Sequence, residues 1–106
     1  MDALIVADLR LDPTSREVTR GGAALALSEK ETLLLEYLMR NQGRILTRSM
    51  IAGAVWNSET SQYANVIDVF ITHLRRKIDA GRGPRLLHTV RGKGFRLSAS
   101  PEPGEV

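Results

Sequence analysis

Eight basic side chains, Arg75, Arg76, Lys77, Arg82, Arg85, Arg91, Lys93 and Arg96, fall within residues 66–98, where only Asp68 and Asp79 oppose them. Crowding of one charge sign onto a short stretch is the electrostatic footprint of polyanion binding. The remainder is balanced or acidic: residues 1–65 hold seven bases against eight acids, and the tail adds Glu102 and Glu105. A formal net charge of +3 therefore hides a one-sided molecule. Catalysis has little to work with. His73 and His88 stand beside no nucleophile, paired carboxylate or metal ligand at a recognisable spacing. Gly92-Lys93-Gly94 has neither the P-loop spacing nor the dinucleotide pattern, which sets a nucleotide site aside. No catalytic residue, cofactor or metal is expected.

The elements that must carry these bases fit one domain. A chain of 106 residues with 42% hydrophobic and 25% charged content supports a single core. It has no cysteine, which suits a reducing cytoplasm. No apolar run approaches the roughly 20 residues of a membrane span, and the N-terminus, with Asp2 and Asp8, lacks the basic region of a secretory signal. Short alternating runs at Leu4–Val6, Leu9–Leu11, Glu17–Arg20 and Leu25–Leu27, punctuated by residues 12–15 and Gly21-Gly22, predict an antiparallel meander. Ser28 and Glu31 fit a capping box for a helix with the stripe Leu34, Leu35, Leu38, ending near residues 41–43. Thr47 caps a second helix through Ile51, Ala52, Val55 and Trp56, and residues 57–62 have loop composition. A third helix runs from about Asn65, a candidate cap, to Ala80, stopped by Gly81, and two strands follow about the turn Arg91-Gly92-Lys93-Gly94. The expected class is α+β. Residues 1–98 form the domain, and residues 99–106 read as a disordered tail.

The third helix has two unlike faces. At 100° per residue, Ile67, Ile71, Leu74 and Ile78 share one stripe, the side that must be buried. Opposite them lie Asn65, Val69, Thr72, His73 and Arg76, with Val66 and Lys77 on one flank and Arg75 on the other. A merely solvated face favours mixed acids and bases, yet this face carries no acid except Asp68, in the first turn. Val69 with Thr72 offers apolar surface to a thymine methyl, and His73 and Arg76 offer donors to base edges or phosphates. In the hairpin, Arg91 stands at the tip, where a thin ribbon carrying a planar cation fits the minor groove. Lys93 and Thr89 suit phosphates. A basic surface helix with an ordinary charged turn remains the plain alternative, as does a protein-binding module whose basic face meets an acidic partner.

These residues, in order, resemble the winged helix-turn-helix effector domain of the OmpR/PhoB class of bacterial two-component response regulators. The resemblance rests on Leu27-Ser28 with Glu31 and Leu34-Leu35, on Ile45-Leu46-Thr47-Arg48, on Val55-Trp56, on the run from Val66 to Ile78, and on the run from Thr89 to Leu97. It spans about residues 9–97. It implies a four-stranded N-terminal antiparallel sheet, three helices and a C-terminal hairpin wing, with the helix at about residues 65–80 in the major groove and the wing, residues 86–97, in the minor groove of double-stranded DNA.

The resemblance also implies roles, residue by residue. Positions matching Val69, Thr72, His73 and Arg75 face DNA, those matching Thr89, Arg91 and Lys93 form the wing contacts, and the one matching Arg48 touches the backbone from the second helix. With Arg76 and Lys77 these make up the expected DNA-binding set. The loop from Trp56 to Ala64 corresponds to a segment that touches RNA polymerase in some members, which singles out Trp56, read first as a packing residue, and Glu59. Members act in a phosphorelay and pair on tandem half-sites, largely through a receiver domain that these 106 residues do not contain; the isolated domain is expected to be a cytoplasmic monomer that pairs on DNA. Thr32 and Phe95 replace a common aromatic and a common tyrosine, and His73 replaces an arginine of some members, which shifts base preference.

Overall fold

The computed structural model describes residues 2–57 and 64–99. Glu59, most of the loop joined to the polymerase expectation, and residues 100–106 of the tail lie outside them. Among the described residues the order is the expected one: β1 (Leu4–Val6), β2 (Leu9–Leu11), β3 (Val18–Arg20), β4 (Ala23–Ala24), α1 (Glu29–Arg40), α2 (Arg48–Val55), α3 (Ala64–Ile78), β5 (Leu87–Val90) and β6 (Gly94–Leu97). The first four strands form one antiparallel sheet in sequence order, and β5 and β6 form a second, two-stranded one.

Alternation decides which side of the first sheet is core. Val6, Leu9, Leu11 and Val18 are buried, whereas Ile5, Arg10 and Thr19, neighbours across the register, face outward. The fourth strand departs from expectation, sitting at Ala23–Ala24 and not at Leu25–Leu27. The tight turn at Gly21-Gly22 pairs Arg20 with Ala23 and Thr19 with Ala24, and the last rung, from Leu25 N–H to the Val18 carbonyl at 2.9 Å, ends the ladder where the leucines begin. Leu25 and Leu27 instead pack against the core as the chain leaves for α1.

Caps form at Ser28 and Thr47, whereas Asn65 lies inside α3, which begins one residue earlier at Ala64, and does not cap it. Ser28 Oγ accepts from Glu31 N–H at 3.1 Å while Glu31 Oε1 accepts from Ser28 N–H at 2.8 Å, and Thr47 Oγ1 accepts from Met50 N–H at 3.1 Å. The three helices enclose Leu34, Leu35, Leu38, Ile51, Ile67, Ile71, Leu74 and Ile78, each worth about 1.5–3 kcal/mol when fully buried. Trp56 caps α2 and meets Phe70 of α3 edge-to-face at 5.1 Å, in agreement with a packing role. Helix α3 stops at Ile78, short of Ala80, because the Asp79 carboxylate turns to accept the amides of Leu86 and Leu87 and the Arg20 guanidinium.

The hairpin is bolted to the helices. Phe95 exchanges two backbone hydrogen bonds with Leu46, 2.8 and 2.9 Å, just before α2. The contact is possible only at a glycine: a Cβ on Gly94 (φ +153°) would lie 2.1 Å from the Leu46 carbonyl oxygen. Gly94→Ala is therefore expected to destabilise the fold by roughly 2 kcal/mol or more, read as a lowered urea midpoint.

Carboxylates hold two further seams. Burial pushes Glu31 upward in pKa, but the Lys77 ammonium at 2.7 Å and the Ser28 amide outweigh it and leave the group below its usual range. Arg16 at 2.7 Å, helped by Arg40, lowers Glu36 against its own burial. Depressed native pKa values contribute stability above the unfolded-state values, about pH 4.3 for Glu, and lose it as pH falls through the lower native ones. The urea midpoint should stay level towards pH 5 and fall below about pH 4. Glu31→Gln should lower the midpoint at neutral pH and make the acid decline shallower.

Candidate nucleic-acid interface

Burying the aliphatic stripe of α3 leaves its other side in solvent. Asn65, Val66, Val69, Thr72, His73 and Arg76 are all exposed, and Val69 keeps 51% of its surface. Exposed valines with no acid among them are unusual for a helix face that meets only water. Thr72 Oγ1 donates to the Asp68 carbonyl at 2.9 Å, so its rotamer is fixed. His73 and Arg76 make no hydrogen bond or ion pair with other described residues, and their donors remain available.

The wing tip is built for display. Lys93 N–H donates to the Val90 carbonyl at 2.9 Å, closing a turn with Gly92 at φ +74°. Arg91 and Lys93 flank that glycine, both exposed and without a partner among the described residues.

Helix and wing are joined by one side chain. Arg75 Nε donates to the Leu87 carbonyl at 3.1 Å and Nη2 donates to Thr89 Oγ1 at 2.7 Å. Burial first, then the like charge of Arg85, lowers the basicity of the Arg75 guanidinium; arginine stays protonated all the same. Two residues expected to face DNA therefore hold each other. The clamp fixes β5 against the flank of α3, and the Arg91 tip lies two residues past Thr89, roughly 7 Å further along the strand.

Two further predicted cations are also committed within the chain. Arg48 Nε lies 2.8 Å from Asp68 Oδ1, and its guanidinium sits 4.9 Å from the centre of the Phe95 ring. Both ends of that ion pair are near half-exposed, so it can exchange for another anion at little cost. Lys77 is turned to Glu31, tying α3 to the start of α1. The ten predicted residues thus fall into two groups. Val69, Thr72, His73, Arg76, Arg91 and Lys93 present the surface, and Arg75, Thr89, Arg48 and Lys77 support it. Trp56 lies at the far end of α2, over which Lys30 Nζ sits at 5.6 Å. Sequence reasoning gave Arg85 no role, although its exposed position directly after Pro84 in the basic stretch was a usable signal.

Comparison with known proteins fits this geometry. Residues 22–97 match the family described as transcriptional regulatory protein, C terminal. The response regulator MprA of Mycobacterium sp. (strain KMS) is 48% identical over 99 residues, covering 93% of this chain and 43% of the relative. Transcriptional regulatory protein TrcR of Mycobacterium tuberculosis is 48% identical over 96 residues, covering 91% of this chain and 37% of the relative. The chain spans about two-fifths of the length of these relatives. The crystal structure of the Klebsiella pneumoniae RstA DNA-binding domain in complex with the RstA box is similar at TM-score 0.83 and 28% identity, over 92% of this chain and 98% of that one. The DNA-binding domain of CpxR from E. coli gives TM-score 0.79 at 29% identity, over 94% and 100%.

If Arg75 is the clamp, removing its forked head should loosen the wing and spare the core. Arg75→Met is expected to speed amide exchange in β5 and β6 by about tenfold, the equivalent of one or two lost hydrogen bonds, with little change on α1.

Proposed function

The chain belongs to the transcriptional regulatory protein C-terminal family, and we propose that it reads duplex DNA with the outward face of α3 in the major groove and Arg91 in the minor groove. As a member of the OmpR/PhoB class it is a DNA-binding effector domain of the response-regulator type. The observation that carries the detailed reading is the Arg75 clamp, which sets a face of unpaired donors and exposed valine beside a displayed arginine. A surface that only met water would gain nothing from such an arrangement.

The roles divide by chemistry. Val69, Thr72 and His73 reach base edges, each good contact worth roughly 1–3 kcal/mol of discrimination. Arg76 and Lys93 engage phosphates, Arg48 can trade Asp68 for one, and Lys77 adds charge from the flank. Arg75 and Thr89 act as positioning residues for the wing. No step of bond making is involved.

One module of this size covers a short site, so specificity calls for a second copy on a tandem half-site, each domain a monomer until it meets DNA. Relatives more than twice as long support a receiver domain in the parent protein, a cytoplasmic phosphorelay as its setting, and the segment containing Trp56 and Glu59 as the place for an RNA polymerase contact. No helix among the described residues is long and apolar enough to cross a membrane.

Titration of duplexes selected from a random pool, with random duplex as competitor, tests the reading. Specific duplex should resist random competitor, and equal competition by both would count against sequence reading. Arg91→Ala is expected to weaken sites with A·T-rich flanks most, whereas Lys93→Ala should weaken all sequences by a similar factor.

A further inference from the structure

A cleft of about 370 Å³ opens where α3 ends, lined by Thr72, Arg75, Arg76, Gly83 and Arg85, with Asp79 in its wall. Three arginines line it, and a single carboxylate does not balance them. Asp79 is buried and already taken by Arg20 at 3.0 Å and by the amides of Leu86 and Leu87 at 3.0 and 3.1 Å. Arg85 stands close enough to Arg75 for its charge to lower that group's basicity. Like charges thus lie together, and Asp79, the acid in the cleft wall, has its hydrogen-bonding capacity committed elsewhere. The segment holding Arg85 is not loose either: on one side the Pro84 carbonyl accepts from Arg20 Nη2 at 2.8 Å, and on the other Leu86 N–H is fixed to Asp79.

We propose that this cleft seats one phosphate of the DNA backbone, with Arg85 and Arg76 as its direct ligands. The inference rests on the DNA-reading function above and adds a contact outside helix α3 and the wing. Thr72 and Arg76 belong both to the cleft and to the outward face of α3, so a strand bordering the major groove passes the cleft mouth. Guanidinium forks match the oxygens of a phosphate diester in pairs, and a fixed segment loses little entropy on binding. These features favour the backbone over an acidic protein segment.

The test uses Arg85→Ala, a change at an exposed position away from the core, beside wild type and Arg91→Ala. Affinity is measured on selected and random duplexes over a fourfold range of salt. Arg85→Ala should weaken both duplexes by the same factor, and its affinity should fall about threefold less than wild type across that range, the signature of one lost phosphate contact. In duplexes carrying a single neutral methylphosphonate, one position should weaken wild type and leave Arg85→Ala unaffected. Unchanged affinity and salt slope in Arg85→Ala, with Arg91→Ala still impaired, would overturn the cleft while sparing the DNA-reading function; a lowered urea midpoint with intact binding would assign Arg85 to the α3 C-terminal dipole instead. Arginine side-chain NMR shifts that respond to millimolar inorganic phosphate and not to duplex would mark a small-anion site and overturn the proposal. Folded wild type that binds no duplex would remove both readings.

Discussion

The buried pair of Arg20 and Asp79 fixes where the reading helix ends and where the wing begins. Arg20 leaves β3 and spends its guanidinium on Asp79, the Ile78 carbonyl, the Pro84 carbonyl and Asp8. Asp79 spends its other capacity on the amides of Leu86 and Leu87. Two charges taken out of water cost several kcal/mol each, and the cost is offset only when their remaining donors and acceptors are filled. Here they are filled by backbone groups that would otherwise be stranded at a helix end and a strand start. One ion pair therefore links the N-terminal sheet, the last turn of α3 and the first residue pair of the hairpin. Loss of either partner would leave a buried charge, at about 3–5 kcal/mol, and would release the angle between helix and wing.

That constraint explains how the cations are divided. Three bases of the frame meet carboxylates: Arg20 with Asp79, Lys77 with Glu31, Arg16 with Glu36. Each pair joins two elements distant in sequence and stiffens the frame. Charge on the outward side, at Arg76, Arg91 and Lys93, meets none among the described residues. Arg48 and Asp68 lie between the two regimes, paired yet near half-exposed. Apart from Lys77 and Arg48, stability and binding thus draw on different bases. A polyanion arriving at the outer set displaces few internal bonds, so little of its attraction is lost in breaking the protein apart.

Local signals made much of this legible. Caps at Ser28 and Thr47, the stripe Ile67, Ile71, Leu74 and Ile78, and the glycine turn at residues 91–94 all depend on neighbours within one turn or one hairpin, and all stand where the sequence puts them. What escaped depends on contacts across the chain. Nothing near Arg20 in sequence announces a partner at Asp79, 59 residues on, and so α3 ends two residues before the Ala80 that local signals predict. Leu25 and Leu27 look like strand residues, but the register imposed at Gly21-Gly22 sends them to the core. Arg75 shows the same limit within the site. A helical projection places it beside the outward face, and only the position of β5 reveals that its donors point at Leu87 and Thr89.

The clamp has an energetic consequence that a list of contact residues would miss. A wing hinged freely to the helix would have to be ordered each time it entered a groove, and each immobilised long side chain would add about 0.5–1.5 kcal/mol to that cost. Here the ordering is done at folding, by Arg75 from the helix, by the Leu46–Phe95 exchange beneath, and by the close approach that Gly94 allows. Folding energy thus goes into fixing the separation of helix α3 and the wing, the two probes proposed to meet adjacent grooves. A rigid separation also discriminates: a duplex whose groove width or bend does not match that spacing loses one probe or the other. On the proposed reading, specificity arises in part from the frame, at base pairs that no side chain touches.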